Sequence, residues 1–209
     1  MSTPRLFSYV VRWDDGAAPN PFHGLCTLAI CKPMIRRVAR PGDWVVGVGS
    51  AGARNGDLRG RVVYAMRVED VITLEQYDRR AKAEWPHRIP NMRNKDPIAK
   101  LGDCIYDYSG PDVRLRPGPH NENNIPKDLF GKNAIISRDF YYFGGKARPL
   151  PPMLRDICPP GQGHRSSKND SSVTPFVRWI RSLGLTPGRM YGDPDMMEVG
   201  CAPTKSTTC

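Results

Sequence analysis

The sequence has no long hydrophobic run. No apolar stretch approaches the ~20 residues a helix needs to span a bilayer, so no membrane partner is expected. Residues 1–12 hold Arg5 and Arg12 around a run too short for a secretory core, and a cytoplasmic protein is expected. In that compartment the six cysteines (Cys26, Cys31, Cys104, Cys158, Cys201, Cys209) are expected as thiols rather than bridges. No C-x-x-C pair occurs. G-x-S-x-G, H-E-x-x-H and the Walker pattern are also missing, so no NTPase is implied. Acidic residues are in deficit, 21 against 31 lysines and arginines, for a net charge of +10. That balance attracts polyanions such as nucleic acid or nucleotides.

Turn-forming residues are plentiful. With 20 glycines and 21 prolines in 209 residues, a helical bundle is excluded and long loops are expected. Leu6–Arg12 reads as a strand rich in aromatic and β-branched residues. In Leu25–Cys31 the residues Cys26, Leu28 and Ile30 share one face at the period of a half-buried strand. Pro33 opens a short helix with Met34, Ile35 and Val38 on one face and Arg36, Arg37 and Arg40 elsewhere. Pro41-Gly42-Asp43 turns the chain into the strand Trp44–Val48, where Gly47 and Gly49 allow another backbone or a ligand to come close. Asp43 reads as a turn residue and Trp44 as core.

Arg61–Val68 is a further strand. Thr73 and Gln76 form a capping box for a helix to about Trp85. Short strands are expected at Cys104–Tyr108 and Val113–Arg116, and the longest at Asn133–Phe143. Arg148–Ser172 reads as irregular. Thr174 and Pro175 start an amphipathic helix that Gly184 ends. This order predicts an α+β fold with a curved, antiparallel-rich sheet or barrel and a few peripheral helices. Residues 1–184 form one domain in this reading, and 185–209 an irregular tail.

The candidate chemistry is scattered. His23, in a turn beside Asn20 and Phe22, can pair with a base edge or move a proton. Lys32, where a strand meets a helix start, suits a phosphate. Asp103 and Tyr106 can bond a base or ribose, and Asp103 can serve a histidine as carboxylate partner. His120 and Asn121, with Asn123 and Asn124, form a loop cluster able to read an adenine-like edge. Of the rings Phe140–Phe143, alternate ones face opposite ways, so Tyr142 can stack on a base. His164, Arg165 and Lys168 can cradle a phosphate. Cys26 and Cys31 are an odd number apart and face opposite sides of a strand, which argues against a metal with His23. No metal and no cofactor is expected. A seven-residue strand spans roughly 20 Å, so His23 and Lys32 would meet different parts of an extended nucleic acid rather than one small ligand.

The run NPFHGLCTLAICKPMIRRVARPGDWVVGVGS, with GRVVYAMRV, GDCIYDY, PHN and SRDFYYFGG, resembles the nucleotide-modification-associated domain 2 family over about Phe7 to Leu183. That resemblance implies a bacterial or phage system handling modified bases. The turn Arg-Pro-Gly-Asp43 before an apolar strand is also similar to PUA-like domains (EVE, ASCH and YTH), which implies a small β-barrel enclosing a base. The expectation is a protein binding a nucleotide or modified-base nucleic acid. The alternatives are a base-modifying enzyme with His23 or His120 as general acid/base, and an interaction component with protein partners in a modification or defence complex.

Overall fold

The computed structural model describes residues 3–195 except 55 and 162. Twelve strands and four α-helices fall within them, beside short 3-10 turns. They are β1 (Leu6–Val11), β2 (Cys26–Leu28), α1 (Pro33–Val38), β3 (Trp44–Gly49), β4 (Arg61–Arg67), β5 (Asp70–Thr73), α2 (Leu74–Ala83), β6 (Tyr106–Asp107) and β7 (Arg114–Leu115). Then follow α3 (Ile125–Phe130), β8 (Asn133–Ser137), β9 (Phe140–Tyr142), β10 (Arg148–Pro149), β11 (His164–Arg165), α4 (Val173–Ser182) and β12 (Arg189–Met190).

The main sheet runs β11-β1-β3-β4-β9-β12, with β10 also on β4. It is mixed: β1 lies parallel to β3 and β12 parallel to β9, while β3–β4–β9 is antiparallel. A second, antiparallel sheet runs β2-β8-β5, and β6 pairs with β7. The fold is thus α+β. No closed barrel forms among the described residues, because β2, β8 and β5 make a separate sheet instead of continuing the first.

Period-two alternation sorts the strand side chains into layers. Leu6, Trp44, Val46, Tyr141 and Phe143 face Phe176 and Ile180 of α4. Phe7, Tyr9, Val45, Tyr64 and Tyr142 face Cys26, Leu28 and Ile135 of the smaller sheet, together with Ile35 of α1. That sheet's far side, with Ala134 and Ile136, is covered by Leu74, Tyr77 and Ala81 of α2. The order is therefore α4, large sheet, small sheet, α2. Thr73 and Gln76 do form the capping box of α2.

Three local expectations are corrected. The strand expected over Leu25–Cys31 stops at Leu28, because Cys31 and Lys32 turn left-handed. The segment Asn133–Phe143 breaks at Arg138-Asp139, and its halves join different sheets. On α1, Arg36 is buried with Ile35, whereas Met34 and Val38 are exposed. Both stretches expected to be irregular also add to the main sheet, 148–172 through β10 and β11 and the tail through β12, while residues 196–209 lie outside the described ones. No helix among the described residues is long and apolar enough to cross a membrane.

Gly47 and Gly49 admit the protein's own core. A Cβ on Gly47 would meet the Tyr64 ring and Val11, and one on Gly49 would meet Leu58. Gly47→Ala is therefore expected to destabilise the fold by about 1–3 kcal/mol, as overpacking does. Urea unfolding measures it, and an unchanged midpoint would refute the close packing of β3 on Tyr64.

Candidate functional site

The chain leaves β2 and reaches Cys31 and Lys32, whose φ values are +58° and +41°. A left-handed residue without glycine is unfavourable by about 1–2 kcal/mol, and a residue before proline normally stays extended. Two adjacent exceptions need neighbours that enforce them. Asp128 Oδ1 accepts the Cys31 N–H at 2.9 Å, and Arg36 Nε donates to the Cys31 carbonyl at 2.7 Å. The turn sets the cysteine at the junction of strand and helix with its side chain off the sheet.

Cys31 Sγ lies 3.4 Å from His120 Nε2, and His120 Nδ1 lies 2.5 Å from Asp128 Oδ2. His120 comes from the loop before α3, and Asp128 from α3 itself. Tyr106 OH donates to the same Asp128 oxygen at 3.0 Å. Burial alone would raise the Asp128 carboxyl. The hydrogen bond from His120, the Cys31 N–H and the Arg36 guanidinium outweigh that and hold it below the ordinary carboxylate range. Tyr106 is pushed up, first by burial and then by the Asp128 charge, so it remains a donor. A carboxylate at Nδ1 fixes the proton there and leaves Nε2 facing the thiol as an acceptor. Cys31 is 5% exposed, so the sulfur is nearly sealed from water.

Arg36 holds this arrangement from beneath. It is 0% exposed and donates to the carbonyls of Cys31, Asn133 (2.8 Å) and Asp128 (2.6 Å), with the Asp128 carboxylate 3.8 Å away. Gly131 lies flat against the guanidinium, where a Cβ would collide.

The other residues singled out in the sequence fall elsewhere. Asn20 and Phe22 are buried. Asn20 accepts from Arg88 and donates through Nδ2 to the Leu101 carbonyl. Asp103 is buried, accepting from Thr27 Oγ1 and Tyr77 OH, each at 2.6 Å. Arg88, also 0% exposed, ties this group to the carbonyls of Phe22 and Leu25. His23 is exposed in a left-handed turn and stacks on His87 at 4.2 Å between ring centroids. Asn121 caps the turn Glu122–Asn124. The four rings Phe140–Phe143 are all buried, and Tyr142 OH donates to Asp14 Oδ1 at 2.5 Å. Burial pushes Asp14 up to about 7. Lys32 Nζ sits 4.6 Å over the Tyr9 ring, and its charge, after burial, lowers His164. So the fold joins His120 and Tyr106 beside the residue preceding Lys32, and puts His23 and Asn20 in a separate Arg88 centre.

Cys31 and Asp128 were not among the candidate site residues. A period-two reading carried through to Cys31 hid the turn. The usable signal was the triplet Cys31-Lys32-Pro33, a nucleophile type placed directly before a helix start. Asp128, inside the helix IPKDLF, carried none. No group of three or more metal-ligating side chains suited to an ion occurs among the described residues. Cys26 and Cys104 are buried free thiols and Cys158 a half-buried one. Cys201 and Cys209 lie outside the described residues.

Residues 3–200 match the model of a family described as nucleotide modification associated domain 2. The chain belongs to that family. Neither the curated proteins nor the solved structures gave a match.

The His23–His87 pair yields a pH prediction. Burial, the Arg88 charge and the His23 charge lower His87 from 6.5 to about 4, and its Nε2 is buried without a partner. A histidine with a lowered folded-state value resists protonation only while folded. Its contribution is therefore complete above the unfolded value and lost as pH falls from 6.5 towards about 4. His87→Phe is expected to lessen the fall in urea midpoint across that window. Parallel native and variant curves would contradict the burial of the imidazole.

Proposed function

From the family membership and the site together, we propose that this chain is a cysteine-centred enzyme acting on an acyl group carried by a nucleotide. The reading rests on the single alignment Cys31–His120–Asp128. Nucleophile, base and orienting carboxylate follow one another at hydrogen-bond spacing, the pattern that activates a thiol.

The steps follow from the atoms present. His120 Nε2 takes the Cys31 thiol proton. The sulfur attacks the acyl carbon, an S–C bond forms, and the bond to the leaving nitrogen or oxygen breaks. His120 returns the proton to that leaving group. Water, or a second nucleophile in a transfer reaction, then attacks the thioester carbon and gives its proton to His120; the S–C bond breaks, the acyl product leaves, and His120 returns the proton to the sulfur. Asp128 holds the Nδ1 proton and stabilises the imidazolium, while Tyr106 and Arg36 hold Asp128. The low exposure of Cys31 limits competing water. In this reading His120 is the general acid/base. Asp103, engaged by Thr27 and Tyr77, belongs to the framework around Arg88.

The net charge of +10 favours nucleotides or nucleic acid as the carrier. A place in a bacterial or phage base-modification or defence system accords with this chemistry.

The test is mass spectrometry of nucleosides and intact protein after incubation with nucleotide pools and DNA that carry acylated bases. A mass increment on Cys31 and an altered nucleoside are expected. Cys31→Ser abolishes both, and His120→Asn slows them by about 10²–10⁴. An unmodified Cys31 with nucleosides unchanged across these pools would overturn the proposal.

A further inference from the structure

The face formed by α1 and α3 beside Cys31 has an unusual surface. Met34 (47%), Val38 (40%) and Phe130 (49%) are among the exposed large apolar side chains. Met34 and Val38 are one helical turn apart with Arg37 on the same side. The Arg37 guanidinium carbon lies 4.3 Å over the centre of the Phe130 ring. Arg40, Lys127 and Lys132 are also exposed around this patch. Neither helix carries an exposed carboxylate, since Asp128 of α3 is fully buried. Cys31 stands two residues before α1, so the patch follows the proposed nucleophile directly in the chain.

We infer that this face docks a single strand of nucleic acid beside the Cys31 turn. A strand is what the composition fits. Four cations, two on the helices and two just past their ends, exceed the need of one nucleotide's phosphate, and they match a backbone with a charge at each step. An exposed ring capped by a guanidinium offers flat stacking surface to an unpaired base, which a duplex keeps hidden. The inference deepens the proposed function by naming the carrier of its substrate, and rests on that reading for its purpose. Its test does not depend on catalysis, because it is run in a Cys31→Ser background.

Fluorescence anisotropy of labelled oligothymidylate, oligouridylate, a duplex and a mononucleotide separates the ligands. DNA and RNA strands share the chemistry, and the first two arms say which is preferred. At least one strand is expected to bind more tightly than the duplex and the mononucleotide, and to weaken steeply as salt rises. Arg37→Glu should lower strand affinity by about tenfold or more through lost charge and stacking. Phe130→Ala should lower it by about tenfold while leaving the salt slope unchanged. Arg178→Glu, on the exposed side of α4 beyond the large sheet, makes the same charge change and should have a much smaller effect. Vesicles of acidic lipid and sedimentation of the protein alone examine the rival occupants. The inference is overturned if neither strand binds, if the duplex binds better, or if Arg37→Glu and Phe130→Ala behave like Arg178→Glu. Vesicle capture abolished by the same two variants, without strand binding, would overturn it as well. Strand binding with no Cys31 adduct in the native enzyme would uphold this surface and reject the catalytic reading alone.

Discussion

The arrangement depends on one buried cation. The Arg36 guanidinium has no exposed surface and joins three segments distant in the chain: the Cys31 turn, the end of α3 and the start of β8. Taking a charge out of water is costly unless its donors are satisfied. Here three carbonyls and the nearby Asp128 carboxylate meet that need, and burial still lowers Arg36 from its ordinary value. Removing one partner of such a buried pair typically costs about 3–5 kcal/mol. The left-handed turn costs about 2–4 kcal/mol for Cys31 and Lys32 together, a load of the same order, so the cation's bonds can offset it. The nucleophile's geometry is thus set by a residue that never meets substrate.

The two buried arginines serve different ends. Arg88 turns both terminal nitrogens inward, onto Asn20, Thr27, Phe22 and Leu25, and Asp103 is closed off by Thr27 and Tyr77. It pins the loop preceding β2 to the strand. Around Arg36 the hydrogen bonds run outward instead, through Asp128 and His120 to a sulfur at the foot of an exposed helix face. Satisfied polar networks of either kind make a core specific, but only the second ends on a reactive atom.

Much of the framework was legible in the sequence. The capping box of Thr73 and Gln76, the Pro33 helix start, the core position of Trp44 and the amphipathic helix near Phe176 rest on local rules, and all appear in the fold. His120 and Tyr106 were legible as residue types. Their convergence was not, because Cys31, Tyr106, His120 and Asp128 meet only through tertiary packing. The strand rule failed at Cys31 for a physical reason: tertiary hydrogen bonds from Asp128 and Arg36 override the local preference for extended backbone. Arg36 was misread for a similar reason. A helical face of arginines ordinarily meets water, and only the carbonyls gathered beneath α1 make burial of one of them favourable. The barrel suggested by the Arg-Pro-Gly-Asp43 turn rested on a motif common before strands, while Asp43 in fact anchors Arg5 and the Arg40 backbone.

Everything at the site turns on His120 activating Cys31. The most direct measurement is the rate of alkylation at each cysteine, resolved by mass spectrometry at neutral pH, in the native protein and in His120→Asn. Cys31 is expected to react faster than Cys26, Cys104 and Cys158, whose thiols are pushed up by burial. His120→Asn is expected to slow Cys31 by about tenfold or more, with the other three unchanged. A Cys31 rate no greater than that of Cys158, or one indifferent to the loss of His120, would contradict it.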